Sequence, residues 1–156
     1  MLPDVFREKQ RIDAIFGLVA QFEADEEILA HWAKYLCVLT SGFIENSCRI
    51  ILTQYAKGKA SPNVSNYVES CVGGITNLND EKITQLLGAF SSQWRERFSK
   101  KRTEIQKLAI DSVIANRHLI AHGRSVGLTL ARMKDYYKEV VKAITLIDEE
   151  CVNART

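Results

Sequence analysis

The sequence predicts an all-α protein, an up-and-down helical bundle with short accessory helices. Three observations carry this. Apolar residues recur at steps of three and four along most of the chain, and no segment alternates with the period of two that a half-buried strand needs. The two prolines, Pro3 and Pro62, both stand where a helix could begin. Toward the end, Leu130, Met133, Tyr137, Val140, Ile144, Ile147 and Cys151 follow one another at alternating steps of three and four, the spacing of a packed seam.

Taken in order, a first helix is expected over about 4–22 from Ile12, Ile15, Phe16 and Val19. The acidic EADEE then opens a second over about 25–57, in which Ile28, Trp32, Tyr35, Leu36, Leu39, Phe43, Ile50 and Ile51 mark one broad apolar face. At ~1.5 Å per residue that rod approaches 50 Å, long for so small a domain. KGKASPN ends it, and Ser61 before Pro62 reads as the N-cap of a short helix running to VGG. TNLNDEK is a loop with candidate caps, followed by helical material through ITQLLGAFSSQWRERFSKK. Thr103 and Gln106 fit a capping box that opens EIQKLAIDSVIANRHLIA. Gly123 and GRSVGLT break the chain before the last helix, over about 129–151.

A chain of 156 residues with 46% hydrophobic and 26% charged residues has the means to bury one core, so a single domain over 1–156 is expected. The net charge of +2 permits a nucleic-acid partner without demanding one. Cys37, Cys48, Cys71 and Cys151 are scattered and lack C-x-x-C pairing, which points to reduced thiols and a cytoplasmic protein. The N-terminus is charged at once, unlike a signal peptide, and no apolar run approaches the ~20 residues of a membrane span. No membrane partner is expected.

The segment ANRHLIAHG (115–123) holds two of the three histidines beside an arginine. In an uninterrupted helix the five-residue step from Arg117 to His122 turns roughly 500°, which separates the two side chains around the axis. Gly123 suits the C-cap, which places His122 in the last turn, facing the negative end of the helix dipole where a cation is favoured. An imidazole so placed is suited to acid–base work. As a bare pattern, Arg-x4-His also fits a histidine that merely bonds free carbonyls at a helix end.

The words NRHLIAHG, with a polar residue directly after the arginine, resemble the R-x4-6-H motif of the HEPN superfamily. LTSGFIENSCRIIL (39–52) resembles that superfamily's earlier long helix with its Glu-centred polar patch, and AHGRSVGLTLARMKDYYKEVVKAITLID resembles its usual continuation. The resemblance runs from about residue 30 to the end, so 1–30 reads as a variable extension packed on the domain.

The resemblance implies a metal-independent endoribonuclease that leaves 2′,3′-cyclic phosphate ends, with a composite site across a homodimer. It further implies service as a toxin or abortive-infection effector restrained by an antitoxin or regulatory protein. It assigns His122 as general acid/base and Arg117 as the phosphate clamp, with His118 orienting the site or touching RNA. The alternative is a non-catalytic HEPN module that binds RNA or nucleotide or serves assembly.

Glu45 and Arg49 lie four apart, the spacing of an i,i+4 ion pair. The resemblance offers Glu45 a second role, orienting Arg117 or a histidine. Asn116 suits capping or substrate contact. Between Trp94 and Lys107 stand six basic residues against two acidic ones, which makes Lys101 and Arg102, together with Arg49 and Arg124, candidate RNA contacts. His118, His122 and Asp111 share a helix face and could in principle hold a metal, but the glutamate of H-E-x-x-H is missing; no metal or cofactor is expected. Phe90, Trp94 and Phe98 are read as core, and Cys48 as a small core residue rather than a nucleophile.

Overall fold

The structure, a computed structural model, describes residues 1–153; the last three residues of the expected 1–156 domain lie outside them. Among the described residues there are seven helices and no strand: α1 (Pro3–Val19), α2 (Glu26–Lys59), α3 (Pro62–Gly73), α4 (Asp80–Phe90), α5 (Ser92–Lys101), α6 (Glu104–Ala121) and α7 (Leu130–Asn153).

The local signals act as expected at most helix ends. Asp25 accepts a bond from Ile28 N and opens α2, while Asn79 accepts from Lys82 N and opens α4. Thr103 and Gln106 form the reciprocal capping box of α6. Ser61 holds the N-cap position of α3, but its side chain makes no cap bond. Its carbonyl instead accepts from Ser65.

The stretch expected as helical material through residue 101 is two helices. Ser91 adopts an extended backbone (φ −159°, ψ 123°) and serves at once as C-cap of α4 and N-cap of α5. The break lets Phe90 and Trp94 stack at 6.1 Å while Tyr55 meets the Trp94 ring edge-on at 4.7 Å. Trp94 and Phe98 are buried, so this aromatic series is core, as expected.

The core is built on α2, with α6, α7 and α1 around it. Leu36, Phe43, Ile44, Ile51 and Leu52 of α2 share one cluster with Ile110 and Val113 of α6 and Met133, Val140, Ile144 and Ile147 of α7. Burial of each such aliphatic side chain is worth about 1.5–3 kcal/mol, which makes this seam the principal source of stability.

The α1 helix runs antiparallel to α7. Leu2 N donates to Asp148, near the far end of α7, while the Tyr137 hydroxyl donates to Asp13 at 2.8 Å and its ring stacks on Phe16 at 4.9 Å. One expectation needs correction: by length and composition α2 is apolar enough to cross a membrane. Its most apolar window is mostly buried within the bundle, as befits a central core helix. Counting uninterrupted apolar runs missed it, because scattered small polar residues such as Thr40, Ser41 and Ser47 punctuate that window and are themselves buried.

Candidate active site

The site is assembled from the end of α6, the middle of α2 and the loop between α3 and α4. The α6 helix ends in a Schellman turn: Gly123 N donates to Ile120 O at 3.0 Å and Arg124 N to Leu119 O at 2.9 Å. Gly123 takes φ +65°, the left-handed conformation that glycine adopts without steric cost, so the chain leaves the helix there. His122 is the C-cap residue, and its N–H donates to His118 O at 3.2 Å. Both imidazoles are exposed, and their rings meet edge to face with centroids 4.5 Å apart.

Arg117 turns to the other side of α6. Its Nη1 donates to Asn77 Oδ1 at 2.9 Å. Asn77 is fixed in turn by its own backbone, whose N–H donates to Glu45 Oε1 at 2.7 Å. A relay therefore runs Glu45–Asn77–Arg117, joining α2, the α3–α4 loop and α6. Asn77 has φ +53°, a left-handed conformation that asparagine tolerates better than most residues. Among the described residues no hydrogen bond joins the guanidinium to either imidazole, as the helical turn between them requires.

The Glu45 role that sequence offered second is thus close to the geometry, acting through Asn77 rather than by contact. The i,i+4 ion pair with Arg49 does not form. Arg49 Nη2 donates to Gly73 O at 3.2 Å and ties α2 to the carbonyl end of α3. Asn116 Nδ2 bonds Ser112 O, one turn back in its own helix, at 2.8 Å; that contact is structural.

Three residues of the basic segment reach carboxylates that the fold buries, while most of the segment is exposed. Lys101 and Arg97 both pair with Glu150 of α7, whose side chain is only 1% exposed. Arg102 pairs with buried Asp80 at 2.9 Å and is itself 10% exposed. The expectation that Arg102 tracks phosphates is corrected accordingly, since its charge braces the α5–α6 junction against α4; Lys101 braces α5 against α7 with its side chain still 53% exposed. Arg124 is exposed in the loop after α6, with no ion pair to its side chain among the described residues.

Asp111 Oδ1 accepts from Asp80 N at 2.9 Å and closes the first turn of α4. Among the described residues no three His, Cys, Asp or Glu side chains form a metal-binding group. The thiol of Cys48 is pushed up to about 12 by burial, with the nearby Glu45 carboxylate adding to it, and Cys37 to about 11 by burial. Neither is poised as a nucleophile.

Asn77 is the residue that sequence reasoning missed. TNLND was legible as a loop with capping residues, but nothing in it distinguishes Asn77 from Asn79, which became the α4 cap. Only the tertiary approach of α2 and α6 gives Asn77 its role.

An all-helical bundle with an arginine braced by a carboxylate–amide relay, and a histidine at the end of the same helix, defines a class of helical domain built around an R-x4-H motif. A model of the RiboL-PSP-HEPN family matches residues 6–153, and the chain belongs to that family, within the HEPN superfamily. The match takes in most of α1 as well as the helices that form the site. Comparison with curated proteins and with solved structures gives no significant match.

Proposed function

We propose that the protein is a metal-independent endoribonuclease that works as a homodimer with a composite site. The observation that carries this reading is the relay through which Glu45 and Asn77 hold Arg117, in a helix whose C-terminus leaves His122 exposed. A relay of this kind restricts the rotamers of a long side chain, which matters for a group that must meet a developing charge in one place.

The chemistry follows from the residues. The ribose 2′-OH attacks the adjacent phosphorus, a base takes its proton, and an acid protonates the departing 5′ oxygen. The products carry 2′,3′-cyclic phosphate and 5′-hydroxyl ends. A planar guanidinium matches the equatorial oxygens of the phosphorane. Each chain brings one His122, and two chains about a two-fold axis bring the acid and the base together with two arginines.

An outward stripe on α6 supports a dimer. Ile105 and Leu108 are 66% and 61% exposed. Large apolar side chains left in water on the helix that ends in His122 favour a self-complementary contact. Within this reading the substrate is RNA, Arg124 contacts its backbone, and a regulatory protein or antitoxin restrains a toxin or defence activity in the cytoplasm.

The test is cleavage of RNA by purified protein in EDTA, with the ends analysed. The reading expects cyclic phosphate ends and loss of cleavage in His122→Ala. Binding of RNA or nucleotide without turnover, unaffected by that substitution, would replace it with a non-catalytic module.

A further inference from the structure

A groove of about 960 Å³ lies beside the relay, between α4 and the outward side of α6, and takes in Asn77 and Asn79 of the α3–α4 loop, with Arg102 at the α5–α6 junction, Lys107 in the first turn of α6 and His118 near its end. The size suits a nucleotide-sized ligand. Ile114, Ala115 and Leu119 give it an apolar wall against which a flat ring can lie.

The charge in this groove is the reverse of a phosphate site. Three carboxylates, Asp80, Glu81 and Asp111, stand against two cations, Arg102 and Lys107. Such a lining favours a neutral ligand rich in N–H donors. Asp111 has one oxygen, Oδ1, engaged by Asp80 N, which leaves Oδ2 as an acceptor. Arg102 Nη1 is buried without a hydrogen-bond partner, 3.7 Å from the exposed carboxylate of Glu104. Asn79 uses its Oδ1 on Lys82 N, so its amide NH₂ remains as a donor. The walls therefore offer an acceptor and donors within one cleft, the complement of a heterocycle that carries an exocyclic amine next to a ring acceptor.

We infer that this groove is a base-recognition subsite that takes one unstacked nucleobase bearing an exocyclic amino group, from the nucleotide next to the scissile phosphate. The inference rests on the nuclease reading above. His118 provides the link, since it lines the groove and its ring touches that of His122. Uracil has a carbonyl where cytosine has its amine, so it would set an acceptor against the Asp111 oxygen and leave both unpaired.

The test uses free nucleosides, which the protein cannot cleave, titrated against the wild-type protein and followed by calorimetry and amide chemical shifts. Adenosine, cytidine and guanosine are expected to bind at least about ten-fold tighter than uridine. Asp111→Asn keeps an oxygen for Asp80 N and exchanges the free acceptor for an amide donor, so it should erase or reverse that preference without unfolding α4. Ala115→Trp, on an exposed position of the apolar wall, should block all four nucleosides. Equal affinity for the four, or an unchanged preference in Asp111→Asn, overturns the subsite. Nucleoside preference in a protein that cuts no RNA upholds the subsite and overturns the nuclease. RNA cleavage indifferent to the base beside the cut upholds the nuclease and overturns the subsite.

Discussion

Replacing Asn77 with glycine separates the relay from the fold that holds it. Glycine accepts φ +53° without strain and keeps the backbone N–H that donates to Glu45, so the loop retains its anchor. What disappears is the Oδ1 acceptor, 2.9 Å from Arg117 Nη1. A hydrogen bond to a charged group contributes about 1.5–3 kcal/mol. If that energy fixes the guanidinium for the transition state, kcat/KM should fall about 10- to 100-fold, at one decade per ~1.4 kcal/mol.

Stability should change by only about 1 kcal/mol, because the contact is partly solvated and the backbone conformation is relieved. Thr103→Ala provides the opposite case. It removes one half of the α6 capping box at the far end of the same helix and should cost about 1 kcal/mol of stability, with cleavage intact. Initial-rate cleavage assays and urea unfolding on both variants decide the matter. If Asn77→Gly cuts RNA like wild type, or loses no more activity than Thr103→Ala, the relay does not position Arg117 for chemistry.

Three further outcomes are expected. Cys37 and Cys48 hold their protons more tightly folded than unfolded, so stability should fall as pH rises above the ordinary thiol value of about 8.5, by about 1.4 kcal/mol per unit for each group, until the folded values of about 11 and 12 are reached. Unfolding curves at pH 8 and pH 10 for wild type and Cys37→Ala/Cys48→Ala check this, and an equal fall in both proteins would contradict it. Exposed Cys71 should react first with a disulfide reagent at pH 8, while Cys37 and Cys48 stay unlabelled until the protein unfolds; rapid labelling of either in the native state would refute their burial. Arg124→Ala should reduce the salt dependence of RNA binding by about one phosphate contact, whereas Arg102→Met, which removes an internal pair with Asp80, should leave that slope unchanged and lower stability instead.

Helix positions were legible in the sequence because each has local causes: Asp25, Asn79 and Thr103 cap, Pro3 and Pro62 open, and the seam from Leu130 to Cys151 repeats without a miss. The break at Ser91 was not legible. Ser91 Oγ accepts from Trp94 N at 3.4 Å, and Tyr55, from a distant helix, packs edge-on against Phe90 and Trp94. The same division holds at the site. Arg117, His122 and Gly123 form a local motif and could be picked out from nine consecutive residues. The partner of Arg117 could not, since Asn77 lies 40 residues away and owes its role to where α2 sets Glu45. Within the basic run Arg102 misled for a related reason: local charge density says nothing of a carboxylate such as Asp80 that arrives from another helix.

Mixing wild-type and His122→Ala chains tests the composite site most directly. At equal amounts and after full subunit exchange, a site that needs both imidazoles survives only in the dimers with two intact chains, and about a quarter of the wild-type activity should remain. Across mixing ratios the activity should follow the square of the wild-type fraction. A linear dependence, with about half the activity at equal amounts, would mean that each chain cuts RNA alone and that the two imidazoles share no site.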